Sequence, residues 1–213
     1  MKIASYFLLM IITFAGLAQN TLYKEQLRKN IQLFENAKSY QEFEYAARGF
    51  ETLALKEKKD WLPFYYAALC QVVAAFKMPK SEVDHSCDLA ESFTRRSDSL
   101  SKENSEVAVL KSMIAAARIN VNKAQRGKKY GAAATKFALE AIKLNEHNPR
   151  AYFVKAQAIL HTPPAFGGGD KKAKPVFEIV LQKHKDFKPE SVLHPKWGKA
   201  EAEKELKKMS GGK

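Results

Sequence analysis

The feature that most constrains this sequence is a regular spacing of small and large apolar residues. Ala134, Ala138 and Ala141 stand four and three positions apart, and the spacing returns at Ala173 and Phe177. Residues three and four apart share one face of an α-helix, and small side chains on that face let a second helix approach closely. The spacing therefore predicts helices that pack in antiparallel pairs.

The same spacing recurs upstream, which indicates a repeat. Comparable positions follow one another at intervals of about forty residues, and they are Ala46, Leu89, Ala134 and Ala173. The pattern resembles the second helix of the tetratricopeptide repeat (TPR), whose regular period is about 34 residues. The resemblance implies an all-α fold, a stack of about three to four degenerate TPR-like helix hairpins that forms an α-solenoid.

A second resemblance covers the stretch from Asn148 to Phe177. It is carried by Asn148-Pro149-x-x-Tyr152, a proline-containing loop, Gly168-Gly169-Asp170 and then Lys172-Ala173. This combination resembles exported bacterial TPR-like proteins, among them the TatT-type component associated with periplasmic TRAP transporters. The resemblance implies an exported helical scaffold.

The N-terminus is typical of a secretory signal peptide. Lys2 precedes an apolar run over Ile3 to Leu17, and small residues close it at Gly16-Leu17-Ala18. This order predicts a signal peptide over 1–18 and a mature chain from about Gln19. The alternative is a retained membrane anchor, although the run falls short of the ~20 apolar residues of a membrane span. We expect a periplasmic or secreted bacterial protein with one domain over 19–213 and no stable membrane span after cleavage.

Within the mature chain, four further segments have a predicted conformation. Ser39 and Glu42 have the spacing of a capping box, which predicts a helix start. Residues 64–77 are apolar on nearly all sides, so we expect a buried helix at the centre of the stack. A tail over Lys185 to Lys196 contains two prolines and is expected to run extended over the last helix pair, before a short helix over Lys199 to Lys208.

The two cysteines lie at nearly equal distances from the Met78-Pro79 turn. Residues that are equidistant from a hairpin turn can face each other, and an oxidising compartment permits a disulfide, so a Cys70–Cys87 bridge is one reading. The other reading is two small buried apolar side chains that face different ways.

The formal net charge is +13, and its excess lies from Arg118 onward. One interpretation is long-range attraction of an anionic partner, and the other is a solvated basic surface. The basic residues are not interleaved with exposed aromatic residues in the way that a stacking platform requires, so no nucleic acid partner is expected.

The Gly167-Gly168-Gly169 segment has two readings. Glycines before a helix start can present backbone amides to an anion. Alternatively, they let Phe166 fold inward while Asp170 caps the next helix.

The sequence predicts no catalytic, metal-binding or cofactor-binding residue. The five histidines are His85, His147, His161, His184 and His194, and none has zinc-ligand spacing with another. We therefore predict a non-enzymatic scaffold whose groove binds a protein or peptide partner in the periplasm. The expected binding residues are Tyr65, Tyr66, Arg118, Tyr152 and Lys155. The alternative is a small-molecule-binding accessory protein of a periplasmic transport system.

Overall fold

The computed structural model describes residues 20–211, and within them the chain is helical with short connections. The predicted signal peptide over 1–18 lies outside the described residues. The helices are 20–36 (α1), Tyr40–Lys56 (α2), Trp61–Ala75 (α3), Lys80–Leu100 (α4), Ser105–Ile119 (α5), Lys123–Leu144 (α6), Pro149–His161 (α7), Asp170–Asp186 (α8) and Lys199–Ser210 (α9), with a 3-10 turn at Pro164–Phe166. Residues 20–211 contain no strand, and the predicted all-α class is confirmed.

The helices pack as consecutive antiparallel pairs. Phe34 of α1 meets Phe43 of α2 edge to face, and α3 packs on α4, α5 on α6 and α7 on α8. The first helices of the later pairs also touch in turn, α3 against α5 and α5 against α7. Helices α3, α5 and α7 therefore form one layer, and the second helices of the pairs pack against one side of it. The other side of this layer is here called the inner face. In the described part of the chain, no helix has the length and hydropathy needed to cross a bilayer.

The repeat predicted from the alanine spacing has a clear counterpart in the core. Each second helix buries a triplet at positions i, i+4 and i+7. The triplets are Ala46-Phe50-Leu53, Ala90-Thr94-Ser97, Ala134-Ala138-Ala141 and Ala173-Phe177-Val180. They recur after 44, 44 and 39 residues. Because the same triplet is buried in each second helix, the spacing accounts for a stack of helix pairs.

The expected position of the second triplet was wrong by one residue. Leu89 is 36% exposed, and the buried residue is Ala90. This triplet is completed by hydroxyls rather than apolar side chains, since Thr94 donates to the Ala90 carbonyl at 2.7 Å and Ser97 donates to the Trp61 carbonyl at 3.4 Å. A buried hydroxyl whose hydrogen bond is made costs little. A prediction from apolar spacing alone therefore places Leu89 and Phe93 at these core positions instead of Ala90 and Thr94.

Local sequence signals set the helix starts. Ser39 accepts from the Glu42 amide at 3.3 Å and Glu42 accepts from the Ser39 amide at 3.0 Å, which is the predicted capping box. Backbone amides of Lys38 and Ser39 hold the pKa of the Glu42 carboxyl below its usual range. Asp60 caps α3 and Asn148 caps α7, each by accepting an amide two residues on.

Helix α3 lies at the centre of the stack, as its apolar composition predicts. Its side chains from Tyr65 to Cys70 are all at most 2% exposed. Tyr66 stacks on Phe50 of α2 with ring centroids 5.0 Å apart, and Tyr65 and Phe34 meet it edge to face. Burial of this aromatic cluster fixes the first two pairs relative to each other.

Cys70 and Cys87 are not bridged in the structure. Both are free thiols, and both are buried. The pair that faces across the α3–α4 turn is Gln71 and Ser86, whose hydroxyl donates to the Gln71 carbonyl at 2.9 Å. Cys70 and Cys87 each stand one residue away, which turns them about 100° around their helices. Cys87 Sγ lies 4.0 Å from the Ile114 carbonyl of α5 instead. Burial raises the pKa of the Cys87 thiol to about 12.

The segment 187–198, here called the tail, reaches further than the sequence predicted. It was expected over the last pair, but it crosses the inner face to α3. Tyr66 donates to the Leu193 carbonyl at 2.9 Å, and the Trp197 indole donates to the Tyr65 hydroxyl at 2.9 Å. Trp197 also meets Phe153 of α7 edge to face. The tail therefore covers the inner face from α7 to α3.

Candidate functional site

The tail occupies the surface where a peptide would bind a helical stack. Tyr65 and Tyr66, two of the five predicted binding residues, are at most 2% exposed, and both of their hydroxyls bond to the tail. Burial is the main cause of the raised pKa of both phenols. These two side chains form part of the core beneath the tail rather than an exposed surface.

Arg118, the third predicted residue, holds three helices together. Its guanidinium donates to Asp84, Asp88 and Glu91 of α4 at 3.2, 2.6 and 3.0 Å. Arg126 of α6 donates to the same Asp84 at 2.7 Å. Only 11% of the Arg118 side chain is exposed. The network joins α4, α5 and α6, and four of the five N–H donors of this guanidinium bond to the carboxylates of α4.

A buried ion pair that the sequence did not reveal fastens both ends of the tail. Arg150 is fully buried at the start of α7 and donates to Glu106 of α5 at 2.6 and 2.9 Å. The Phe187 ring, where the tail begins, lies 4.5 Å from its guanidinium carbon. At the other end, a Cβ placed on Gly198 would lie 3.6 Å from Arg150 Cγ. The two ends of the tail thus lie close to one side chain, that of Arg150.

His184 of α8 lies beside this pair and is kept neutral. Its Nε2 atom is buried without a hydrogen-bond partner in the structure, as is Arg150 Nη1. Burial, then the positive charges of Arg150 and Lys199, lowers the pKa of His184 to about 4. The unfolded chain, with an ordinary imidazole pKa of about 6.5, therefore takes up this proton first as the pH falls.

We expect the free energy of unfolding to fall between about pH 6.5 and pH 4 because of His184. The side chain is only half buried, so the loss should be about 2 kcal/mol rather than the full value of the shift. A His184→Gln variant should lack this component, and urea unfolding at pH 7 and pH 4.5 measures it. Parallel pH profiles for the two proteins would contradict the assignment, because acidic residues elsewhere lose stability equally in both.

Tyr152 and Lys155, the last two predicted residues, are half-buried on one face of α7, and Tyr152 lines a groove. The groove has a volume of about 520 Å³ and is lined by Ile142, Lys143, Leu144, Asn145, Glu146, His147 and Tyr152. We call it the α6–α7 groove. Lys183 of α8 lies over the Tyr152 ring, with its ammonium 5.2 Å from the centroid. An aromatic ring, two aliphatic side chains, two lysines and one glutamate therefore meet at this surface.

A second groove has an acidic lining. It has a volume of about 470 Å³ and is lined by Glu44, Arg48, Glu51, Gln71, Met78, Ser81, Glu82, His85, Ser86 and Leu89. We call it the α2–α4 groove. Its three glutamates outnumber Arg48, and two of its polar residues, Gln71 and Ser86, are bonded to each other at 3.0 Å. A cationic ligand fits this lining better than an anionic one.

The glycine loop presents Phe166 to solvent, contrary to the expectation that it folds inward. Phe166 is 81% exposed. The N-cap of α8 is Gly169 and makes no side-chain bond, so Asp170 is the first helical residue rather than the cap. Gly167 and Gly169 have φ of +85° and +89°, which favours glycine at both positions.

Residues 20–211 contain no group of three or more histidine, cysteine or acidic side chains that could hold a metal ion. The remaining histidines are separated in space. His85 lines the α2–α4 groove, His147 lines the α6–α7 groove, and His194 bonds to Ser191 at 2.8 Å within the tail. The arrangement supports binding by shape, charge and aromatic contact.

The chain matches no protein-family model and no curated protein, so the resemblance to TPR and TatT-type proteins stays a prediction. The HusA haemophore from Porphyromonas gingivalis is a solved structure similar to this chain. It is 35% identical in sequence with a TM-score of 0.80, and the similarity covers 88% of this chain and 92% of that chain. Identity at this level over nearly both whole chains shows common ancestry as well as a common fold, and this chain belongs to the family of the HusA haemophore.

Proposed function

We propose that this chain is an exported, non-enzymatic protein that binds haem. The observation that carries the proposal is the 35% identity to a haemophore over almost the full length of both chains. The family favours the small-molecule alternative over the expected protein or peptide partner. The tail supports the same preference, because it fills the inner face with its own Leu193 and Trp197.

The chemistry of haem selects one of the two described grooves. Haem is a flat apolar ring with two carboxylate side chains. Ligands of this kind bind in clefts with apolar and aromatic walls and a few charged groups that fix their orientation. The α6–α7 groove offers Ile142, Leu144 and the Tyr152 ring as an apolar surface, with Lys143 and Lys183 beside it, and its lining holds one glutamate, Glu146, where the α2–α4 groove has three.

The α2–α4 groove fits the same ligand poorly. Glu44, Glu51 and Glu82 line it, and they would repel the haem carboxylates. We therefore place the haem on the α6–α7 groove, with its ring against Tyr152 and its carboxylates paired with lysines. Lys155, one helical turn from Tyr152, is close enough to contribute to the same charge.

A Tyr152→Ala variant should bind haem about tenfold more weakly than the unmodified chain, because the ring loses its aromatic contact. Replacement of Lys143 and Lys183 by glutamate should weaken binding further and should remove most of its salt dependence. Absorbance titration of haem into each protein measures both effects.

The matched control is His85→Ala with Arg48→Ala in the α2–α4 groove. This variant should bind haem like the unmodified chain. Loss of binding in the control together with intact binding in Tyr152→Ala would move the site to the other groove. An unmodified chain that binds no haem would overturn the function itself.

A further inference from the structure

The topology gathers positive charge at one end of the stack. Helix α6 begins there, α7 and α9 end there, and α8 begins there after the glycine loop. Partial burial lowers the pKa of His161, and the charges of Lys123 on α6 and of Glu205 and Lys208 on α9 also act on it, so the ends of three helices are close together. Lys208 is paired with Glu205 at 2.7 Å, and Asp170 begins α8, so the excess positive charge comes from Lys123, Lys171 and Lys172. We call this surface the basic end, and its members are Lys123, His161, Phe166, Lys171 and Lys172.

Phe166 stands at the tip of the basic end on a closely bonded loop. Its amide donates to the Pro163 carbonyl at 2.9 Å, and the Gly169 amide donates to the Ile159 carbonyl at 3.0 Å. A Cβ on Gly168 would lie only 2.1 Å from the Thr162 carbonyl oxygen, so the loop packs directly on the end of α7. The loop therefore holds an aromatic side chain out in water, where leaving it exposed has a free-energy cost.

We propose that the basic end docks on the surface of an anionic lipid bilayer, with Phe166 inserted among the lipid headgroups. An apolar side chain at the tip, surrounded by lysines, is the composition of interfacial membrane anchors. Lys171 and Lys172 are exposed on the first turn of α8, five and six residues after Phe166. Each lysine near an anionic surface contributes attraction that falls off within a Debye length.

The shape of this end favours a bilayer over a protein pocket as the partner. Both described grooves lie elsewhere, one between α2 and α4 and the other at the opposite end of α7, near Asn145 to His147. The basic end is thus a projection formed by helix termini and one loop. This docking is independent of haem binding, because it uses none of the residues of the α6–α7 groove.

Co-sedimentation with large unilamellar vesicles tests the proposal. The mature chain should bind vesicles of equal parts phosphatidylglycerol and phosphatidylethanolamine, and should not bind phosphatidylcholine vesicles. Phe166→Ala should reduce the partition coefficient roughly tenfold, as expected for loss of one buried aromatic side chain. Lys171→Glu with Lys172→Glu should abolish binding.

Two matched variants separate docking from general attraction of a basic protein. Leu55→Ala truncates another exposed apolar residue, on α2, which is 63% exposed. Lys58→Glu with Lys59→Glu reverses an adjacent lysine pair in the connection between α2 and α3. Both should bind like the unmodified protein. The proposal would be overturned by an equal loss of vesicle binding from the two lysine-pair variants, or by unchanged binding of Phe166→Ala. It would also be overturned if the unmodified protein did not bind the anionic vesicles, and that result would point to a protein partner for the basic end.

Discussion

Replacement of Arg150 by methionine should lower the free energy of unfolding by about 3–5 kcal/mol, the cost of removing one partner from a buried ion pair. Glu106 would be left as a nearly buried carboxylate, since only 12% of its side chain is exposed. The Phe187 ring would also lose the guanidinium on which it lies. Equilibrium unfolding in urea measures the loss, and it should appear in the midpoint without a change of slope.

The second partner supplies the control. In a double variant, Arg150→Met with Glu106→Leu, neither side chain is charged, and part of the lost stability should return. The recovery should be incomplete, because Glu106 also accepts from the Asn148 side chain at 2.8 Å. A loss below about 1 kcal/mol for Arg150→Met would show that the pair does not fasten the tail.

Alanine at Gly168 should destabilise the protein by about 3 kcal/mol, near the upper end of overpacking penalties. The added Cβ would lie 2.1 Å from the Thr162 carbonyl oxygen and 2.6 Å from the Ile159 carbonyl oxygen. Both contacts are with backbone, so the loop that carries Phe166 has to move. Thermal unfolding detects the loss, and the amides of the 162–169 loop should exchange faster with solvent.

Gly127 is the matched control for this substitution. It lies inside α6, and a Cβ there meets nothing within 4 Å. Gly127→Ala should therefore raise stability by about 0.5–1 kcal/mol through helix propensity alone. If both alanine substitutions stabilise the chain, the close packing of the glycine loop on α7 is wrong.

The fold was predictable because its signal is local. Ala46, Ala134 and Ala173 each begin a pattern of small and apolar residues that spans two helical turns and identifies a second helix. All three are buried. The second pair obscures this signal because Thr94 and Ser97 occupy core positions. Their hydroxyls bond to backbone carbonyls, a compensation that depends on the packed structure and leaves no mark in an apolar pattern.

The candidate site was only partly predictable. Tyr152 and Lys155 share a helix face, so their pairing can be read from the sequence, whereas Lys183 meets Tyr152 only because α8 packs on α7. Arg150 and Glu106 stand 44 residues apart on different helices. The path of the tail depends on two tyrosine hydroxyls of α3, more than 120 residues away in sequence. Contacts of this kind arise from topology rather than from periodicity.

The most direct test of the haem site is amide hydrogen exchange of the protein with and without haem. Bound haem should slow exchange at the end of α6 and the start of α7, around Lys143 to Tyr152, and in the part of α8 that contains Lys183. Exchange around Met78 to Leu89 should stay unchanged. Protection confined to the α2–α4 groove, or to the tail and α3, would contradict the placement of haem on the α6–α7 groove.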